Sequence, residues 1–109
     1  MRAVTRVRIG KDRIFMGKGV RELLDAIDEH KSIKKASEAT GISYPKALRI
    51  LRTVKEELGF AAVVSSKGGR NYGETHLSPK GREVLECYRI IENEVERFAQ
   101  ALVDEMFNF

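Results

Sequence analysis

The sequence predicts a mostly α-helical winged helix-turn-helix fold with a small β component. Three observations predict it. A tight glycine turn joins two predicted helices at 33–40 and 43–58, a glycine-rich basic loop lies inside 61–77, and a long amphipathic helix is predicted at 79–106. We therefore expect a winged helix-turn-helix domain at residues 1–82, followed by a C-terminal dimerisation helix.

The predicted helix pair has recognisable ends. Ser32 and Ser43 are N-cap residues, since a serine hydroxyl accepts a hydrogen bond from the first turn. Gly41 and Gly59 lie where the two helices must end, because glycine tolerates the left-handed backbone of a helix stop. The second helix has one apolar stripe at 4-3-4 spacing, formed by Ala47, Leu51, Val54 and Leu58.

The other face of the second helix is basic and polar. Six residues there are candidates for facing the major groove of DNA: Ser43, Tyr44, Pro45, Lys46, Arg49 and Thr53. Three more are candidates for phosphate contacts: Arg52, Lys34 and Lys35. A basic helix face can also be merely solvated, and helix-turn-helix geometry occurs in proteins that never touch DNA. The interpretation therefore depends on the rest of the chain.

A predicted wing follows the helix pair. The β-prone run 60–66 and the short return strand 74–77 enclose the glycine-rich loop Lys67–Gly73. Glycines permit close approach to a phosphate backbone, and the candidate contacts in the loop are Lys67, Arg70 and Asn71. The alternative is a hairpin without a partner.

Two further elements precede the helix pair. Val4–Ile9 alternates apolar and polar residues, and Arg13–Met16 can return after a turn, so a hairpin is predicted at 4–16. The spacing of Val20, Leu23, Leu24 and Ile27 predicts an amphipathic helix at 19–30.

Ser78 and Pro79 mark the beginning of the terminal helix. At 1.5 Å per residue this helix is on the order of 40 Å long. It therefore extends past the domain at residues 1–82, which we call the head. Its apolar residues follow heptad spacing: Val84, Tyr88, Ile91, Val95, Phe98 and Leu102. A homodimer through this seam is predicted. The alternative is a helix that folds back over its own head.

Charge is distributed unevenly along the chain. Residues 1–82 hold 18 Lys and Arg against 9 Asp and Glu, a net charge of +9. Residues 83–109 hold 2 Lys and Arg against 7 Asp and Glu, a net charge of −5. This distribution is typical of a head that binds a polyanion and a tail that points away from it. The alternative is a basic protein with a solvated acidic helix.

Composition argues against other classes of protein. The chain has 109 residues, no apolar run of membrane-spanning length and no signal peptide, and its single Cys87 fits a reducing cytoplasm. His30, His76 and Cys87 share no metal-ligand spacing, and the glycine-rich loop lacks the ending of a P-loop. We therefore expect no enzyme, no cofactor and no metal site.

Three stretches resemble the N-terminal DNA-binding domain of the ModE family of molybdate-responsive transcription regulators: Gly41-Ile42-Ser43-Tyr44, the glycine-rich loop 67–73 and Leu77–Leu85. The helix-turn-helix is also similar to that of LysR-type regulators, in which a serine precedes an arginine by six positions, as Ser43 precedes Arg49. The resemblance implies a winged-helix fold, a homodimer through terminal helices and sequence-specific binding to double-stranded DNA.

Two features depart from that pattern. Thr40 occupies a position that is commonly larger and apolar, and the chain ends at Phe109 without molybdate-binding domains, so no molybdate site is expected. The function predicted is a cytoplasmic, homodimeric transcriptional regulator that binds specific DNA sequences. A winged helix that docks onto protein or RNA, and a nonspecific architectural DNA binder, are the alternatives.

Overall fold

The structure is a computed structural model that describes residues 1–66 and 73–109. Its helices are α1 (Lys18–His30), α2 (Ile33–Thr40), α3 (Tyr44–Leu58) and α4 (Pro79–Met106). Its strands are β1 (Ile9–Gly10), β2 (Ile14–Met16), β3 (Val63–Ser65) and β4 (Thr75–Leu77). The strands form two small antiparallel sheets, β1 with β2 and β3 with β4. The predicted fold class is confirmed.

Serine caps and a glycine turn set the geometry of the α2–α3 pair. Ser32 Oγ accepts a hydrogen bond from the Lys35 amide at 3.1 Å, and Ser43 Oγ accepts one from the Lys46 amide at 3.3 Å. Gly41 ends α2 with φ of 73°, in the left-handed region where a residue with a Cβ is strained. Local backbone chemistry therefore fixes the three-residue turn between the two helices.

The hydrophobic core lies between α1, α2, α3 and the first turns of α4. Its most completely buried large side chains are Met16, Leu23, Leu24, Ile27, Val54 and Tyr88. Small residues allow the helices to approach one another, since Ala36 of α2 and Ala47 of α3 are both fully buried. This packing leaves the outer surface of α3 facing solvent.

The β3–β4 hairpin follows α3 directly, as expected for a wing. Its register pairs Val63 with Leu77 and Ser65 with Thr75. The residues of the predicted wing tip, Lys67, Arg70 and Asn71, lie outside the described residues. The predicted contacts of the wing with DNA stay predictions.

The predicted N-terminal hairpin is longer than the observed one. Strand pairing includes only Ile9–Gly10 and Ile14–Met16. Residues 1–8, which we call the N-terminal arm, lie along α4 instead. The Tyr88 hydroxyl donates to the carbonyl of Val7 at 2.6 Å, and the Ala3 amide donates to Gln100 Oε1 at 2.8 Å. The prediction that residues 4–8 form a strand of the hairpin was wrong because their partner is a helix.

Helix α4 has 28 residues and gives the molecule a longest dimension of 61 Å. Tyr88 is only 1% exposed and lies in the core of its own chain, so its assignment to a dimer interface was wrong. Val84 also packs against that core. The other four residues of the predicted heptad seam are exposed, and we call them the exposed seam: Ile91, Val95, Phe98 and Leu102. Among the described residues, no helix is both long enough and apolar enough to cross a membrane.

Candidate nucleic-acid interface

The outward surface of α3 follows from its helical period. Pro45, Arg49, Arg52 and Glu56 are exposed and succeed one another at steps of four, three and four residues, on the side opposite the buried stripe. Arg49 and Arg52 therefore project together from the middle of the helix. This surface carries a net positive charge in its first three turns.

The first turn of α3 adds polar and aromatic groups. Ser43, Tyr44, Pro45 and Lys46 are all exposed, and Tyr44 is 46% exposed despite its large ring. Thr53 is less accessible. It is half-buried, and its hydroxyl donates to the carbonyl of Arg49 at 3.1 Å. Of the residues predicted to face a groove, Thr53 and Ser43 both have hydroxyls that already bond to the helix backbone, since Ser43 Oγ accepts from the Lys46 amide.

Ion pairing separates the arginines into two groups. Of the ten arginines that the structure describes, five have a carboxylate oxygen within 4.0 Å: Arg13, Arg21, Arg82, Arg89 and Arg97. In the part of the chain that the structure describes, the five without such a partner are Arg2, Arg6, Arg8, Arg49 and Arg52. The unpaired arginines belong to α3 and the N-terminal arm. Their charge is available to an external anion.

The acidic end of α3 is neutralised by the β1–β2 hairpin. Arg13 Nη2 lies 2.7 Å from Glu56 Oε2, and the Arg13 amide donates to Glu57 Oε1 at 2.6 Å. That backbone hydrogen bond, more than any other contact, lowers the pKa of Glu57 below its usual value. The hairpin thus fixes the C-terminal half of α3 and offsets the carboxylate that shares the face of Arg49 and Arg52.

Ion pairs also fasten α4 to α1. Arg21 Nε lies 2.8 Å from Glu92 Oε1, and Arg82 Nη2 lies 2.8 Å from Asp28 Oδ1. The hydrogen bond from Arg82 lowers the pKa of Asp28. Arg89 pairs with a third α1 residue, Asp25. These contacts fix the direction in which α4 leaves the head.

The remaining predicted residues are dispersed. Lys34 and Lys35 are exposed on the first turn of α2, next to the Ser32 cap. They therefore belong to the helix before the turn and not to α3. Sequence reasoning missed Arg6 and Arg8, because they were assigned to a strand of the hairpin. Their signal was the alternation of arginine with Thr5 and Val7. Within residues 1–66 and 73–109, no group of three or more His, Cys, Asp or Glu side chains is placed to hold a metal ion.

Sequence comparison finds two relatives, both called molybdenum transport protein ModE. The chain is 31% identical to the protein of Azotobacter vinelandii over 84 residues, which are 77% of this chain and 31% of that protein. It is 33% identical to the protein of Herbaspirillum seropedicae over 70 residues, which are 64% of this chain and 26% of that protein. The chain thus spans about a third or less of the relatives that it matches. No family model matches it.

Structural comparison finds DNA-binding domains solved with DNA. The CbnR DNA-binding domain in complex with DNA aligns with a TM-score of 0.57 and 20% identity, covering 73% of this chain and 86% of that one. The BenM DNA-binding domain bound to benA site 1 DNA also gives 0.57 and 20%, covering 83% and 93%. DarR of Vibrio fischeri, a LysR-type regulator in complex with DNA, gives 0.57 and 19%, covering 79% and 28%.

At these identities the solved structures establish the fold, and the sequence matches establish a likeness to one part of the ModE proteins. The elements of this chain include the helix pair, the β3–β4 hairpin after α3 and the long final helix. The chain is a winged helix-turn-helix domain of the type found in DNA-binding transcription regulators, similar in sequence to ModE and in fold to the LysR-type DNA-binding domains.

Proposed function

We propose that this chain binds specific sequences of double-stranded DNA as a homodimer and regulates transcription. In this proposal α3 enters the major groove, which is wide enough to admit an α-helix. Ser43, Tyr44 and Lys46 approach the bases from the first turn, and Arg49 approaches them from the second. Arg52 contacts the phosphate backbone beside the groove.

The observation that carries the proposal is the pair of unpaired arginines on α3. Arg49 and Arg52 are exposed and have no carboxylate partner among the described residues, whereas five other arginines of the chain do. An arginine guanidinium can donate two hydrogen bonds to one guanine and discriminate it from other bases. Two such groups on one outward helix face are suited to a DNA duplex.

The proposal extends to three neighbouring elements. Lys34 and Lys35 on α2 would contact phosphates, as would Lys67, Arg70 and Asn71 of the wing. The exposed seam of α4 would pair with the seam of a second copy. Its largest side chain, Phe98, is 70% exposed, and an apolar stripe of this kind is stabilised when a second copy covers it. A dimer would present two copies of α3 to two half-sites.

A docking module for protein or RNA is the second candidate. Tyr44 and Leu48 on α3 are 46% and 37% exposed, and apolar side chains of this size are common anchors at protein interfaces. A nonspecific architectural DNA binder would use the same basic face without reading bases. Selecting bound sequences from a random pool of DNA duplexes separates these functions, since only the proposed one enriches a motif.

Substitution of the two α3 arginines then tests how the motif is read. Arg49→Ala should weaken binding to the selected duplex by roughly 1–3 kcal/mol per half-site and affect random DNA much less. Arg52→Ala is the matched control on the same face. It should weaken binding to both duplexes alike and make the slope of log K against log salt shallower by about 0.9, the value for one phosphate contact. Competition titrations with specific and random duplexes measure both.

Three results would contradict the proposal. If the selection enriches no motif, the protein is a docking module or an architectural DNA binder instead. A flat dependence of affinity on salt would exclude the phosphate contacts, which should lower log K by about 0.9 per log unit of salt for each neutralised phosphate. An equal loss on both duplexes for Arg49→Ala would mean that α3 does not read the sequence.

A further inference from the structure

The N-terminal arm presents one edge to α4 and the other to solvent. Ala3, Thr5 and Val7 are half-buried, whereas the residues between and around them are exposed: Arg2, Val4, Arg6 and Arg8. Two side chains of α4 hold the arm in place. Gln100 accepts from the Ala3 amide and donates to the Met1 carbonyl, and Tyr88 donates to the Val7 carbonyl. The three arginines are therefore displayed on an anchored segment.

None of these three arginines has an acidic partner in the described part of the chain. The arginines of α1 and α4 differ in this respect, because each of them has an acidic partner: Arg21, Arg82, Arg89 and Arg97. An arginine that joins two elements of a fold lies against a carboxylate. The three exposed arginines of the arm have no such partner and are not needed to hold it, because hydrogen bonds between the arm backbone and the side chains of Gln100 and Tyr88 already do so.

The arm borders the proposed DNA-reading helix across a cleft of about 390 Å³. Arg6 and Arg8 line this cleft from the arm, and Lys46 lines it from the first turn of α3. With Lys18 of α1, four cations thus surround one concave surface that begins where α3 would enter a groove.

Two carboxylates also line the cleft, and both have cationic neighbours. Glu22 lies 4.0 Å from Lys18 Nζ, and Glu92 lies 2.8 Å from Arg21 Nε. They leave Arg6, Arg8 and Lys46 without a counter-charge. A surface with this excess of positive charge attracts a polyanion.

We propose that the N-terminal arm is a second DNA-contacting element, which binds the phosphate backbone next to the segment that α3 reads. The inference rests on the proposed function and adds to it a contact from outside the helix-turn-helix and the wing. Arg6 and Arg8 donate to phosphate oxygens across the cleft, and Lys46 contacts the same strand from α3. Because phosphates carry no sequence information, the arm raises affinity for every duplex alike.

The test replaces both arginines with glutamine, R6Q/R8Q, in the full chain. Each lost phosphate contact should make the slope of log K against log salt shallower by about 0.9, so the slope should fall by about 1.8 per protomer. At 0.1 M salt the affinity should drop roughly tenfold or more, for the selected and the random duplex alike. Hydroxyl-radical footprinting should lose protection at sugars that flank the bases read by α3.

The matched control is K80Q/R97Q, which removes the same charge from α4 outside the cleft. It should bind nearly as the wild type does. A conservative variant, R6K/R8K, keeps the charge and should also bind nearly as the wild type does. Thermal melting of each variant shows whether the arm still allows folding, and no change is expected because both side chains are exposed.

The outcomes distinguish the two proposals. If the wild type binds no duplex DNA, the proposed function and this inference both fail. If the wild type binds and R6Q/R8Q matches K80Q/R97Q, only the arm inference fails. If R6K/R8K is as defective as R6Q/R8Q, the arm does not act through its charge and the inference is overturned.

Discussion

At the scale of single residues, Gly81 shows what a sequence pattern can hide. In sequence it stands where a capping box would have Glu or Gln. Its amide donates to Ser78 Oγ at 2.9 Å, and a Cβ built at this position would lie 2.1 Å from the carbonyl oxygen of Ala62. That carbonyl accepts from the Ser78 amide at 2.8 Å, so it cannot move freely. Glycine allows α4 to begin in contact with Ala62, the residue just before β3.

Gly81→Ala should therefore destabilise the fold although alanine favours helices. Overpacking of this kind lowers the free energy of unfolding by about 1–3 kcal/mol, and here the clash is with backbone. Gly19→Ala is the control, since a Cβ there meets nothing within 4 Å and the change should raise stability by up to about 1 kcal/mol. Urea unfolding followed by circular dichroism measures both. Equal effects of the two substitutions would contradict the close approach of Ala62.

At the scale of elements, the β1–β2 hairpin is tied to α3 by one arginine and two carboxylates. Glu57 is buried and accepts from both the backbone and the side chain of Arg13. These hydrogen bonds outweigh burial and lower the pKa of the carboxyl below its ordinary 4.5. The ionised form of Glu57 is therefore the form that stabilises the folded chain.

The sign of the pH dependence follows from that lowered pKa. The stabilisation is fully present above about pH 4.5, the pKa in the unfolded chain, and is lost as the pH falls through the folded value. Glu57→Gln should lose stability at neutral pH and show a flatter acid limb than the wild type. Urea midpoints measured from about pH 7 to pH 3 give the two profiles.

Glu94→Gln is the control for this experiment, because Glu94 is exposed on α4 and, among the described residues, pairs only with Arg97 three residues later. Exposed pairs of this kind contribute little to stability. Its acid limb should match that of the wild type. An acid limb of Glu57→Gln as steep as the wild type's would exclude Glu57 as a source of acid sensitivity.

The elements also show how far sequence reasoning reaches. Local chemistry predicted the helix pair well, since Ser32, Ser43 and Gly41 act through residues three or four positions away. The alternation of Val4–Ile9 predicts one covered edge, and odd positions are indeed half-buried and even ones exposed, although apolar Val4 is exposed and polar Thr5 is half-buried. Alternation does not identify the partner, and here the partner is α4 rather than a strand. The arm was therefore missed as a candidate site.

The same limit explains the partial error about α4. Heptad spacing predicts an apolar stripe and cannot tell which surface covers each part of it. The head of the same chain covers Tyr88, while Phe98 farther along remains exposed. The side chains of the wing tip and their contacts stay predictions.

At the scale of the whole molecule, α4 both packs against the head of its own chain and carries the surface proposed to bind a second copy. Its first half is fixed to the head by Arg21–Glu92 and Arg82–Asp28, and its second half carries the exposed seam. In the proposed dimer a rotation of α4 would move both heads. The ion pairs between α1 and α4 would thus set the distance between two copies of α3, and through it the spacing of DNA half-sites.

Phe98→Glu tests whether the seam joins two copies. Phe98 is 70% exposed in the single chain, so a glutamate there should not prevent the head from folding. In a dimer the substitution would bury a charge on each side, and an unpaired buried charge destabilises an interface by several kcal/mol. The variant should sediment as a folded monomer at concentrations where the wild type is a dimer. Its affinity for a duplex with two half-sites should fall, while binding to one half-site stays unchanged.

Asn93→Glu is the matched control, with the same added charge on an exposed position of α4 outside the seam. At 100° per residue its helical position lies about 140° from Phe98 and about 180° from Leu102, so a seam dimer leaves it in solvent. Sedimentation velocity on the three proteins, each with and without the two-site duplex, decides the matter. If Asn93→Glu dissociates the dimer as Phe98→Glu does, the interface uses another face of α4. If the wild type is itself a monomer at tens of micromolar, each head binds DNA alone, and the ion pairs of α4 with α1 have no half-site spacing to set.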